Sequence, residues 1–200
     1  VVEISEILKK TDFIYEVVII DDCSTDNTYN VINSIKNKYD IKYILNEKNM
    51  GQSFSIHKGI KNSKYNNIVT IDGDGQNNPA DIPKLVNFFI GNKNLKLISG
   101  IRTKRKDSLI EIFSSKFANT IRSTLLKDRC TDTGCSLKFF NKKIFLNFPY
   151  FNGIHRFLPA LFVASKCEVM YISVDHRPRK LGISKYGTFD RLYKGIFDII

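Results

Sequence analysis

The run Ile71-Asp72-Gly73-Asp74-Gly75-Gln76-Asn77-Asn78-Pro79 places two carboxylates and a side-chain amide within five residues, directly after an apolar stretch. Oxygen ligands of this kind suit a hard divalent cation, magnesium or manganese, which keeps open positions for substrate phosphates. If strand geometry persists through the run, its period of two turns Asp72 and Asp74 to one side, and the amide oxygen of Gln76 converges with them. Gly73 and Gly75 allow a tight turn and the close approach of a ligand. The competing reading is a polar turn between strand and helix. A bare Asp-x-Asp would not separate the two, but the whole run behind a buried strand favours the cation.

A second acidic group, Asp21-Asp22-Cys23-Ser24-Thr25-Asp26-Asn27-Thr28, also follows an apolar run. Its carboxylates and hydroxyls can accept hydrogen bonds from a nucleobase or ribose, or Ser24 and Asp26 can simply cap a helix. Two adjacent carboxylates repel each other, which weighs against a purely structural turn. The cations lie elsewhere. Arg102, Lys104, Arg105 and Lys106 form one cluster and Arg177, Arg179 and Lys180 another, in a chain of net charge +11. Such an excess points to nucleic acid, an anionic membrane or small polyanions, or to a solvated face. Among single residues, His155 reads as structural or positioning, His57 as incidental, and Arg122 as solvating one face of a helix.

The elements that must hold these groups alternate. Strands are expected at Glu16 to Asp21, Ile41 to Leu45, Asn67 to Asp72, Leu95 to Ser99, Leu137 to Phe140 and Val169 to Val174. Helices are expected at Val1 to Lys10, Asn27 to Lys38, Gln52 to Lys61, Asp81 to Phe89, Ser108 to Leu126 and Ile154 to Ser165. The short apolar run of the first strand predicts burial on both faces. This order implies an α/β domain, parallel in its first half, with ligands at the carboxyl ends of the strands. With 42% hydrophobic and 26% charged residues, the 200-residue chain can build one ordinary core, and a single domain over residues 1–200 is expected. No run approaches the roughly 18 apolar residues of a membrane span. Cys23, Cys130, Cys135 and Cys167 form no C-x-x-C pair, and buried or half-buried thiols are expected. Both ends read as cuts through a longer protein, with no signal peptide in view.

Taken in order, the motifs resemble glycosyltransferase family 2. They are Asp21-Asp22-x-Ser24-x-Asp26-x-Thr28, then Asn49-x-Gly51, then Asp72-Gly-Asp-Gly-Gln-x-x-Pro79. Four later segments are similar to the dolichol-phosphate mannose synthase group and its bacterial polyprenyl-phosphate relatives. These are Gly100-x-Arg102-x-x-Arg105-x-Asp107, Thr131-Asp-Thr-Gly-Cys135, His155-Arg-Phe-Leu-Pro-Ala-Leu161 and His176-Arg-x-Arg179-x-x-Gly182-x-Ser-Lys-Tyr-Gly187. The resemblance covers about Glu16 to Gly187. It implies a GT-A type fold, a mixed and mostly parallel sheet flanked by helices, with the first strand of that fold missing ahead of Val1.

The resemblance also implies roles. Asp21, Asp22, Ser24, Asn49, Gly51 and Asp72 would bind the nucleotide-sugar, Asp22 on the base. Asp72, Asp74 and Gln76 would hold magnesium or manganese on the diphosphate. Arg102, Ser115, Arg179, Ser184 and Lys185 would surround an acceptor phosphate. Asp74, Asp132, Arg102 and Arg179 would be catalytic, Asp132 near the reacting centre. The expected reaction moves a sugar, mannose or glucose, from GDP-mannose or a UDP-sugar to a dolichyl or undecaprenyl phosphate with inversion. It would take place at the cytoplasmic face of the membrane, where each basic residue contributes about 1 kcal/mol of attraction to anionic lipid. A phosphate acceptor, with its second pKa at about 6, is mostly dianionic at neutral pH and needs positive charge rather than a base. A family 2 enzyme acting on a saccharide would instead need Asp132 as that base. A basic binding module without catalysis is the third reading, but the acidic clusters oppose nucleic acid as a partner.

Overall fold

The computed structural model describes residues 1–103 and 123–178. The chain divides into two compact units.

The first unit comprises Val1–Ile68 and Asn141–His155. It contains α1 (Val2–Leu8), β1 (Val17–Asp21), α2 (Thr28–Ile35), β2 (Ile41–Leu45) and α3 (Gln52–Asn62). β1 and β2 pair in parallel, from Val17 opposite Ile41 to Asp21 opposite Leu45. Val17 to Ile20 are half-buried rather than enclosed on both faces as the sequence predicts. The returning segment adds α5 (Lys142–Leu146), which the sequence reading does not anticipate. Asn141 starts it, its side-chain oxygen accepting from the Ile144 N–H at 3.2 Å. His57 packs between the rings of Phe145 and Tyr150, at 5.8 and 5.3 Å between centroids. Burial there, with Lys61 nearby, lowers its pKa.

The second unit comprises Val69–Phe140 and the chain from Arg156 onward. Its four-stranded sheet has the order β3 (Asn67–Thr70), β5 (Lys138–Asn141), β4 (Leu95–Thr103), β6 (Glu168–Asp175). β4 pairs in parallel with β6 and antiparallel with β5. Pro79–Asp81 form a single 3₁₀ turn, capped by the Asn78 side chain, that leads into α4 (Ile82–Gly91). Pro suits the first helical position because its missing N–H has no partner to lose there. Helix α6 spans Ile154–Ala164. Leu85, Leu97, Ile98, Phe140 and Phe162 are fully buried. Edge-to-face contacts of Phe89 with Phe139 (4.5 Å) and of Phe140 with Phe162 (6.1 Å) fix the aromatic part of this core.

Two differences from expectation bear on the site. β3 ends at Thr70, two residues before Asp72, and β4 continues to Thr103. The expected helix Ser108 to Leu126 lies outside the described residues except for 123–126, which are helical. No disulfide joins any of the four cysteines, all of which are described. Among the described residues no helix is long and apolar enough to cross a membrane.

Candidate active site

In the first unit, the two adjacent carboxylates at the end of β1 point to different partners. Asp21 is buried, and its carboxylate accepts from the Ser24 N–H at 2.8 Å and from the Tyr43 hydroxyl. Burial pushes its pKa up, but the hydrogen bonds from Tyr43 and Ser24 outweigh it and hold the carboxyl below its ordinary value. Burial and the same carboxylate push Tyr43 up to about 12. Asp22 instead gathers the loop after β2. Its Oδ1 accepts from Asn46 Nδ2 and the Met50 N–H, and its Oδ2 from the Gly51 N–H, all at 2.8 Å. Burial again raises the pKa, and the Asn46, Met50 and Gly51 donors more than reverse it.

Gly51 caps α3 at φ +85°, a conformation that favours glycine. Asn46, which the sequence reading passes over, is the buried centre of this arrangement. It donates to Asp22 and to Ser55 Oγ (3.0 Å) and accepts from Lys58 Nζ (2.8 Å). Asn46 follows β2 directly, so the rule that sites form at carboxyl strand ends could have found it. Ser24 and Asn49 are exposed. Asp26 does not cap α2 as its N-cap residue, a position that falls to Asn27. It accepts from the N–H and hydroxyl of Thr28.

In the second unit, Asp72, Asp74 and Gln76 sit on a turn, not on a strand. Period-two alternation therefore does not align the two carboxylates, because β3 has already ended and Gly75 turns the chain at φ +75°. Asp74 Oδ1 accepts from the Gln76 N–H at 3.1 Å, Gln76 O accepts from the Arg177 N–H at 2.7 Å, and Ser136 Oγ accepts from the Asp72 N–H at 3.0 Å. His176 bridges Asn77 in a strand-like contact and lies 3.5 Å from Gln76 Nε2 through its own Nε2. The sequence reading quotes His176 within a motif without giving it a role.

Among the described residues no group of three or more His, Cys, Asp or Glu is placed to hold a metal ion. Two carboxylates and an amide on one turn still fit magnesium or manganese shared with substrate phosphates, since such cations take one or two carboxylates rather than an all-protein cage. Space is available, for a Cβ built at Gly73 or Gly75 meets nothing within 4 Å.

At the end of β4, Arg102 and Asp132 form a forked ion pair. Arg102 Nε and Nη2 donate to Oδ2 and Oδ1 at 2.8 and 2.7 Å, and the Arg102 N–H also donates to Oδ2 at 3.0 Å. Gly134 makes room for the guanidinium, since a Cβ there would lie 2.9 Å from Nη2. The loop carrying Asp132 is held from beneath by buried Lys138, whose ammonium donates to the carbonyls of Cys135 and Thr133. Burial pushes the neighbouring Cys135 thiol up, against Lys138, which lowers it. Ser115, Arg179, Ser184, Lys185 and Arg122 lie outside the described residues.

This architecture recurs in solved structures. A glucosyl-3-phosphoglycerate synthase from Mycobacterium tuberculosis with phosphoglyceric acid superposes with a TM-score of 0.70 at 12% identity, over 98% of this chain and 72% of that one. The same enzyme with Mn2+, uridine diphosphate and glucosyl-3-phosphoglycerate also gives 0.70, over 98% and 74%. These likenesses show the shared GT-A fold. In sequence, a dodecaprenyl-phosphate galacturonate synthase from Rhizobium johnstonii is 32% identical over 93% of this chain and 56% of its own length. An undecaprenyl-phosphate 4-deoxy-4-formamido-L-arabinose transferase from Yersinia pestis is 29% identical over 93% of this chain and 57% of its own. The chain thus spans a little over half the length of these curated relatives. Residues 4–148 match the family described as Glycosyl transferase family 2, and the chain belongs to that family.

Proposed function

We propose that the protein transfers a sugar from a nucleotide-diphospho-sugar to a polyprenyl phosphate, with inversion, at the cytoplasmic face of a membrane, and that residues 1–200 belong to one catalytic domain. The observation that carries the reading is the Arg102–Asp132 fork at the end of β4. A planar guanidinium fixed in this way presents rigid donors suited to phosphate oxygens. The relatives support it, since both are named for a sugar and a polyprenyl phosphate.

In this reading Asp22, with Asp21, Ser24, Asn49 and Gly51, shapes the nucleotide pocket. Asp72, Asp74 and Gln76 hold magnesium or manganese with the diphosphate. When bound, that cation offsets the negative charge that grows on the leaving diphosphate. Arg102, with Arg179, Ser115, Ser184 and Lys185, holds the acceptor phosphate in line with the anomeric carbon. A phosphate oxygen forms the new bond as the bond to the nucleotide diphosphate breaks. No proton has to be removed from a dianionic acceptor. Asp132 then serves by fixing Arg102, not as a base. Transfer to a saccharide would ask a base of a carboxylate that already accepts three N–H groups from Arg102. The basic clusters would face anionic headgroups.

The donor is the finer question. Mannose and glucose stand beside galacturonate and 4-deoxy-4-formamido-L-arabinose, the sugars in the relatives' names, and UDP beside GDP. The test is a panel of these nucleotide-sugars on full-length protein with undecaprenyl phosphate, in magnesium, manganese or chelator. Cation-dependent product from one donor is expected. Cleavage of none of them, in either metal, contradicts the reading.

A further inference from the structure

The turn that carries Asp72, Asp74 and Gln76 contains two glycines with open space where a side chain would be, and within it the Asp74 carboxylate accepts from the Gln76 N–H. One side chain outside the turn meets both of its ends. Ser136 Oγ accepts from the Asp72 N–H at 3.0 Å and from Asn77 Nδ2 at 2.8 Å. The two lone pairs of the hydroxyl are thus both used on the same turn, one at each end.

Ser136 is itself fixed. Its carbonyl accepts from the Thr70 hydroxyl at 2.7 Å, which ties it to the last residue of β3. Asn77 is fixed in turn. It is buried, and its Oδ1 lies 3.9 Å from Cys135 Sγ.

We propose that Ser136 is a positioning residue for the cation-bearing turn: its hydroxyl clasps Asp72 to Asn77 and so sets the spacing of the two carboxylates before cation and diphosphate arrive. The inference rests on reading Asp72, Asp74 and Gln76 as the cation–diphosphate site. Groups that orient metal-binding residues in this way typically change metal affinity about 10- to 100-fold when removed. Ser136→Ala removes both acceptor sites at once, whereas Ser136→Thr keeps the hydroxyl. Thr70→Val is the control, because it removes a hydrogen bond to the same residue but leaves the clasp.

The test has two readouts that need no turnover. The first is hydrogen exchange of residues 72–77 in cation-free protein. The second is calorimetric binding of UDP and of GDP, each with and without manganese. Ser136→Ala should speed exchange in the turn and weaken manganese-dependent nucleotide binding about 10- to 100-fold. Ser136→Thr and Thr70→Val should bind as the wild type does, with Thr70→Val matching Ser136→Ala in melting temperature. If Ser136→Ala does not fold, Ser136→Cys, which keeps the shape with a weaker acceptor, should shift both readouts in the same direction.

Unchanged exchange and binding in the folded Ser136 variant would overturn the clasp. Equal loss of binding in Thr70→Val would overturn it too, by reducing Ser136 to general support. Failure of the underlying reading looks different: wild-type protein would show no manganese-dependent nucleotide binding, or binding indifferent to Asp74→Ala, while the exchange experiment would still judge the clasp.

Discussion

Arg102 and Asp132 are joined three times over: Nε and Nη2 of the guanidinium enter the carboxylate at 2.8 and 2.7 Å, and the Arg102 main-chain N–H shares Oδ2. The carboxylate therefore fixes both the backbone and the head of the same residue. Asp132 is almost wholly buried and Arg102 largely so. Removing one partner of such a pair leaves an uncompensated charge, so Asp132→Ala should cost about 3 kcal/mol of stability in denaturant titration. Asp132→Asn keeps the shape and should fold. It should raise the KM for the phosphate acceptor more than it lowers kcat, as expected of a residue that places Arg102. A collapse of kcat at unchanged KM would instead mark Asp132 as a base.

Gly134 and Gly100 separate two kinds of glycine constraint. A Cβ at Gly134 meets the tip of the Arg102 side chain at 2.9 Å, so Gly134→Ala should displace the guanidinium within the Asp132 fork and raise the acceptor KM, at a smaller cost in stability than Asp132→Ala. A Cβ at Gly100 meets Val174 Cγ2, Cys135 Sγ and the Leu137 carbonyl at 2.9–3.0 Å, inside the sheet. Gly100→Ala should therefore destabilise by about 1–3 kcal/mol, as overpacking does. Melting curves and acceptor titrations of the two variants check the contrast.

Acid should loosen the first unit through Asp21 and Asp22. Both carboxyls have folded pKa values held below the ordinary 3.8. A lowered folded value means that their stabilisation is fully present above the unfolded value, about 4. It is lost as pH falls through the folded values. Asp22→Asn should thus be less stable than wild type at neutral pH, with the gap closing below about pH 4. Denaturant titrations of the two proteins across that range measure the gap.

Asp74→Ala should abolish cation-dependent nucleotide binding, because it removes one of the two carboxylates on the turn and the acceptor of the Gln76 N–H. Calorimetry with manganese and UDP or GDP checks it.

Much of the element order was legible because apolar runs and turn residues mark it plainly. The bounds of β2 agree to the residue, and α3 and α6 to within one. What composition could not show was where a strand stops. The expectation that β3 reaches Asp72 extends an apolar pattern through Ile71. The chain leaves the sheet after Thr70, where the Thr70 hydroxyl and the Asp72 N–H both turn to Ser136. The motifs named the residues of the candidate site but not their mutual contacts. That Asp132 is the partner of Arg102, thirty positions away, depends on a loop returning beside β4. Asn46, Ser136 and Lys138 were missed for the same reason, since each acts on a segment distant in sequence or on main-chain carbonyls that no side-chain pattern reports.

Acceptors that differ only in the phosphate test most directly whether the enzyme requires it. With the preferred nucleotide-sugar and manganese, full-length protein should glycosylate undecaprenyl phosphate, and Arg102→Ala should lose that activity. Undecaprenol, which lacks the phosphate, should give no product above background. Transfer to undecaprenol or to a saccharide at a rate matching or exceeding that to the phosphate would contradict the account.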